Sequence, residues 1–293
     1  MLNIIVAPKE YNAKAEKNTK KVVKLLKVEN VEYSVHFSRT FDELKENVKQ
    51  LLSFGETEFV IVGDDVVINT IISCIKDLNK VKFGIIPTSK HDDFASYLGI
   101  SSNPVQAMKD ILTKNLETVD LLLVNDMLAL NSVIIGASVE IYNAYEQYKI
   151  KNFISEKFAT LKHGNNFSGV ELALEHKNTK TQKPKKEIVF ELVVANGGNC
   201  KGKPVSPLCN MQDGLFNLIY TNVAHKSGKR KYIKKQNGGK HIYDDDTKQS
   251  WLTNLKITNP DKKIKALVDG KIQNFEEVNI SILENALKIF KKN

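Results

Sequence analysis

Two acidic turns stand where phosphate-binding chemistry could be built. Gly63-Asp64-Asp65 follows the apolar run 59–62, and Pro87 to Asp93 follows the apolar run 81–86. Each turn leads into a helix-forming segment, whose first backbone N–H groups lack partners and attract anions. In an open α/β sheet, ligands bind beyond the carboxyl ends of the strands, so a nucleotide would lie at these turns. A plainer use competes with that chemistry: Gly63 makes a tight turn and the aspartates cap helices. On motif strength alone the plainer use is favoured. Asp213-Gly214 and Asp269-Gly270 are likewise residue pairs of ordinary hairpin turns.

The elements that must position these turns alternate over the first 125 residues. Strand-like runs at 2–7, 32–37, 59–62 and 81–86 are interleaved with helical patterns at 13–27, 41–52, 66–78 and 103–112. In the first helix Val22, Val23, Leu25 and Leu26 sit among lysines, as on a surface helix. Thr40 and Glu43 have capping-box spacing for the second, and Pro104 suits the first turn of the last. Strand and helix in alternation predict a parallel sheet covered on both faces.

Farther along the pattern changes. Strand-like runs at 119–125, 132–141, 169–175, 187–195, 215–222, 251–257, 264–268 and 277–282 surround one helical stretch at 142–162. The expected organisation is a Rossmann-like α/β nucleotide-binding domain over 1–125 and a β-rich sandwich over 126–283. The tail 284–293 is expected to pack back on the first domain. Segments 176–186 and 225–250 are polar and basic and read as exposed loops.

The 293 residues are 42% hydrophobic and 26% charged, enough for two cores and too apolar for a disordered chain. No run approaches the roughly 18 apolar residues of a membrane span. The apolar start is too short for a secretory signal, so a cytoplasmic location is expected. Cys74, Cys200 and Cys209 have no metal-ligand spacing and read as reduced thiols. A net charge of +9 favours anionic partners. Nucleic acid is not expected, because aromatic residues do not cluster with the basic ones as stacking platforms.

Several segments in register resemble the diacylglycerol kinase catalytic family, which includes bacterial lipid kinases and sphingosine kinases. Pro87-Thr88-Ser89-Lys90-His91-Asp92-Asp93-Phe94-Ala95, then Leu98-Gly99-Ile100, resembles P-L-G-T-G-N-D-F-A…L-G-I. Gly63-Asp64-Asp65-Val66-Val67-Ile68-Asn69 is similar to G-G-D-G-T-x-N. Asn196-Gly197 leading to Gly202 and Pro207, then Gln212-Asp213-Gly214-Leu215, resembles N-G…G-G…P…D-D-G-L. Gly239-Lys240-His241 and Val268-Asp269-Gly270-Lys271 resemble G-K-H and V-D-G-E.

The resemblance implies phosphoryl transfer from ATP, with Mg²⁺, to the hydroxyl of diacylglycerol or a similar membrane lipid. It assigns Asp269 as the base and Asp213 to metal positioning. Gly63, Asp65, Asn69, Ser89, Lys90 and Asp93 would face the nucleotide, with Asp64 the alternative to Asp65 as the family aspartate. Departures accompany it. Asp64, Val66 and Val67 replace Gly, Gly and Thr, and Ser89-Lys90-His91-Asp92 replaces G-T-G-N. Ala7-Pro8-Lys9-Glu10-Tyr11 replaces N-P-x-S-G without its glycine, and Lys271 replaces a glutamate. Glycines there allow close approach of backbone to phosphate, and an added carboxylate repels it. A degenerate family member that binds lipid or nucleotide as a regulator is therefore the alternative function. A lipid substrate also implies peripheral contact with an anionic membrane, expected at the basic stretch 225–240. Edge-strand pairing into a homodimer is a further expectation.

Overall fold

The computed structural model describes residues 1–89, 92–176, 185–223 and 225–292. They form two compact units, Met1–Leu121 with Leu283–Asn293, and Leu122–Ile282. In the first, β1 (Leu2–Val6), β2 (Tyr33–His36), β3 (Glu58–Gly63) and β4 (Lys82–Pro87) are parallel, in the order β2-β1-β3-β4. They alternate with α1 (Ala13–Val28), α2 (Phe41–Ser53), α3 (Asp65–Ile72), α4 (Asp93–Tyr97) and α5 (Pro104–Leu112). β1, β3 and β4 are buried almost throughout, which is why they read as unbroken apolar runs. Thr40 caps α2 by accepting the Glu43 N–H at 3.2 Å, and Glu43 accepts the Arg39 N–H at 2.6 Å. β5 (Leu116–Val124) pairs with β18 (Glu277–Phe290), whose Lys288 and Ile289 lie parallel beside Lys82 and Phe83.

The second unit is a sandwich. One sheet is β14-β13-β10-β7-β16-β17, made of β7 (Ser132–Gly136), β10 (Glu191–Ala195), β13 (Phe216–Thr221), β14 (Thr247–Leu252), β16 (Ile264–Val268) and β17 (Lys271–Phe275). The other places β15 (Asn254–Thr258) between β8 (Val170–Glu175) and the start of β18, with β9 (Lys185–Val189) at its edge. Short strands complete it: β6 (Met127–Ala129), which pairs with β5, and the ribbon of β11 (Asn199–Cys200) with β12 (Lys203–Pro204). Val133, Leu192 and Phe216 from the first sheet meet Leu172, Ile257 and Val278 from the second in one core. The alternate residues Ile134, Val193 and Ile219 pack on the opposite face with Val139 and Leu267.

Three expectations about elements need correction. The strand expected over 132–141 stops at Gly136, where φ is 121° and α6 (Ala137–Glu146) begins. The single helix expected over 142–162 divides into α6 and α7 (Phe153–Ala159). The loop expected over 225–250 contains α8 (Lys226–Gln236) and β14. α8 is held despite its basic sequence because Tyr232 stacks edge-on against Phe190 at 5.8 Å. Buried Glu191 adds a polar tie, accepting the Ser138 N–H at 2.9 Å and the Gln236 amide at 3.1 Å. Burial pushes its carboxyl up to about 7. Of the loop expected at 176–186, residues 177–184 lie outside the described residues.

Gly136 is required by its surroundings as well as by its φ. A Cβ there would lie 2.4 Å from the Phe190 carbonyl oxygen. Gly136→Ala is expected to lower unfolding stability by about 2 kcal/mol or more. Urea denaturation measures it, and an unchanged midpoint contradicts this account of the strand-to-helix corner.

Candidate functional site

Gly63 lies opposite Pro87 in the parallel β3–β4 pairing, so the two acidic turns leave the sheet side by side. A Cβ on Gly63 would sit 2.7 Å from the Val67 side chain, so the glycine lets the first turn of α3 pack against β3. Asp64 caps α3, accepting the Val67 N–H at 3.2 Å, while its other oxygen accepts the Tyr11 hydroxyl at 2.7 Å. Asp65 reaches across to the neighbouring turn, where its oxygens accept the Phe94 N–H at 3.3 and 3.2 Å. Asp92 folds back within its own turn and accepts the Thr88 and Ser89 N–H groups, each at 2.9 Å.

The turn after β1 joins them. Asn12 caps α1 and donates to the Thr88 hydroxyl at 2.9 Å, and Asn18 donates to the Pro87 carbonyl at 3.1 Å. Burial raises the Tyr11 phenol well above its usual range, helped by the Asp64 hydrogen bond and the charges of Asp64, Asp92 and Asp65. Burial is also the main cause that pushes the Asp92 carboxyl up to about 6, against the lowering effect of its two N–H bonds and Lys14.

Gly63, Asp65, Ser89 and Asp93 therefore gather at the two turns, with Asp93 buried at the start of α4. Asn69 lies one turn farther along α3, where it accepts the Ser73 hydroxyl at 3.2 Å. Lys90 lies outside the described residues, as does His91. Asp213 and Asp269 belong to the second unit. Asp213 is exposed and accepts the Leu215 N–H at 3.0 Å, bracing the turn before β13. Asp269 (φ 45°) and Gly270 (φ 72°) form the two-residue turn between β16 and β17. Its carboxylate accepts the N–H groups of Leu130, Asn131 and Ser132 at 2.6, 2.8 and 3.0 Å. Three of the roughly four acceptor positions of a carboxylate thus hold the chain between β6 and β7.

Residues 1–124 match the diacylglycerol kinase catalytic domain. The match covers the first 124 of the 293 residues. A Staphylococcus haemolyticus protein provisionally named as a lipid kinase is 28% identical over 252 residues, 78% of this chain and 74% of that one. The fold is shared with a Bacillus anthracis protein provisionally assigned as a diacylglycerol kinase, at a TM-score of 0.77 and 17% identity over 99% of this chain and 96% of that chain. An Archaeoglobus fulgidus NAD kinase solved with ATP gives a TM-score of 0.50 at 15% identity, over 100% of this chain and 93% of that chain.

The architecture is thus one that accommodates ATP in a relative, but the described side chains at this chain's turns do not suit a triphosphate. A phosphate at a strand end is held by unpaired backbone N–H groups. Here the N–H groups of Val67, Thr88, Ser89 and Phe94 already bond to Asp64, Asp92 and Asp65. Of those carboxylates, Asp64 and Asp92 add like charge where the resemblance places a glycine and an asparagine. Among the described residues no three His, Cys, Asp or Glu side chains are grouped to hold a metal ion. Reasoning from sequence gave Tyr11, Asn12 and Asp92 no role in this cluster, although Tyr11 and Asp92 lay within the segments it compared with the family. The first two occupy the third strand end of the same sheet, so the strand-end rule that flagged the other turns applied to them as well.

Asp92 stands at the family's asparagine position, and asparagine could keep both hydrogen bonds without the charge. The folded carboxyl titrates near 6, above the usual 3.8. Its stabilising contribution is therefore full below about pH 4 and is lost as pH rises through 6. Asp92→Asn is expected to match the parent at pH 4 and exceed it by about 2 kcal/mol at pH 7.5. Urea unfolding of both proteins at the two pH values measures the difference. A variant less stable than its parent at pH 7.5 contradicts the buried-charge reading.

Proposed function

We propose that this protein is a catalytically degenerate member of the lipid kinase family, acting as a lipid-binding regulatory protein rather than as an ATP-dependent enzyme at neutral pH. The observation that carries this reading is the Asp92 carboxylate on the Thr88 and Ser89 N–H groups. An anion of the chain itself takes the place of a bound phosphate, with Asp64 and Asp65 beside it on the neighbouring turn. Electrostatics then works against an incoming triphosphate even where the backbone path is preserved. Asp269 serves as a clamp in the same way, its oxygens committed to three backbone N–H groups.

A second reading is phosphoryl transfer from ATP to the hydroxyl of diacylglycerol or a similar membrane lipid. It is supported by the position of Asp92, which keeps the acceptor geometry that asparagine would supply. It is also supported by the family match over the first 124 residues. In that reading Asp269 accepts the hydroxyl proton, and Asp213 supports Mg²⁺.

Labelled ATP with Mg²⁺ and mixed micelles containing diacylglycerol separates the two, with a thermal shift titration of MgATP run beside it. The expected result is no lipid-dependent transfer and no shift in melting temperature. Lipid-dependent transfer that disappears in Asp269→Asn establishes the enzyme instead.

A further inference from the structure

Fifteen large hydrophobic side chains stand exposed among the described residues, and five of them fall within the twelve positions from Ile150 to Leu161. Ile154, Phe158 and Leu161 recur at helical spacing, with Phe153 beside them and Ile150 just ahead of the helix cap. Phe153 and Ile154 are 74% and 75% exposed, so the outer face of α7 is apolar where solvent should favour polar residues. The helix forms there for local reasons. Asn152 accepts the Ser155 N–H and the Ser155 hydroxyl accepts the Asn152 N–H, both at 2.9 Å. Its other side is fastened: Ala159 is buried, and at Gly164, just beyond, an added Cβ would lie 2.8 Å from Ile233 of α8 and 2.9 Å from Ile141 of α6.

Charge tells what this face is for. Residues 149–162 hold four lysines (149, 151, 157 and 162) and one glutamate, Glu156, a net of +3 by count. Glu156 is paired with Lys203 at 2.5 Å, and Lys151 with Glu146 just outside this span, so Lys149, Lys157 and Lys162 carry the excess. The Lys157 ammonium lies 5.9 Å from the Phe153 ring, poised at the rim of the apolar stripe. α8, which abuts the same turn, exposes Arg230, Lys231 and Lys234. Two copies of such a surface would bring like charges together on association, whereas an anionic bilayer complements both features. Aromatic and aliphatic tips enter the acyl boundary while lysines reach the headgroups.

We infer that α7 is an interfacial wedge that docks this protein on an anionic lipid bilayer through Phe153, Ile154 and Phe158. The inference deepens the lipid reading above and needs no catalysis. It moves the insertion point from the basic stretch 225–240, where the implied lipid substrate put membrane contact, to a segment that the sequence presented only as part of one helical stretch over 142–162. α8 then supplies surrounding charge.

Sedimentation with phosphatidylcholine vesicles, with and without phosphatidylglycerol, tests it in the absence of ATP. The parent is expected to partition onto the anionic vesicles and to be released by salt. In Phe153→Ser/Ile154→Ser the partition coefficient is expected to fall about tenfold or more. Phe54→Ser, which removes an equally exposed apolar side chain in the first unit, is expected to change nothing. Both variants should keep the parent's melting temperature, since the replaced side chains are exposed. Equal partition of parent and double variant overturns the inference, as does a parent that ignores anionic vesicles. A lipid-free dimer that the double variant abolishes overturns it too, by making the face a contact between copies. None of these outcomes touches the nucleotide argument, which is read by thermal shift without lipid.

Discussion

A backbone N–H at the carboxyl end of a parallel strand has no partner in its sheet and none in the first turn of the helix that follows. Something must accept it. In a phosphate-binding protein the acceptor arrives with the ligand, and the turn is left bare to receive it. Here the acceptors are covalently attached. Asp64 holds Val67, Asp65 crosses to Phe94, and Asp92 gathers Thr88 and Ser89. The register that sets Gly63 opposite Pro87 makes the crossing possible, because it brings two turns 29 residues apart within reach of one side chain.

The same device recurs across the molecule. Asp269 accepts three N–H groups, Asp213 one, and Asp120 accepts the Asn285 N–H at 2.7 Å. Glu191 ties α6 and α8 to β10. Carboxylates that a catalytic reading would aim at metal, phosphate or a hydroxyl proton are turned toward the backbone. Each such bond satisfies a donor that would otherwise be stranded, and hydrogen bonds to a charged acceptor are the stronger kind. What remains outward-facing on α7 is an apolar stripe among lysines.

Much of the fold was legible in the residues themselves. β1, β3 and β4 announce burial on both faces by unbroken apolar runs, and Thr40 announces the start of α2. The α8 helix was not legible, because only Tyr232 and Ile233 are apolar in a basic stretch. Its stability comes from contacts with Phe190 and Glu191, both distant in sequence. Gly136 ended a strand expected to run on, and the reason is a carbonyl of Phe190 that no local pattern displays. For the site, strand-end position pointed to both turns, and glycine loss pointed to a changed anion preference. Which carboxylate meets which N–H could not be read, since the Asp65–Phe94 contact joins two loops through the sheet. The exposure of Phe153 and Ile154 was equally hidden: a helical apolar stripe ordinarily means core.

Amide-resolved NMR of Thr88 and Ser89 reads the central contact directly. With Asp92 as their acceptor, both amide protons should titrate together with a midpoint near 6, that of its carboxyl, and should stay in place when MgATP is added at neutral pH. Amide signals that ignore pH between 5 and 7 yet move on addition of MgATP would show these donors open to phosphate, and would contradict the account.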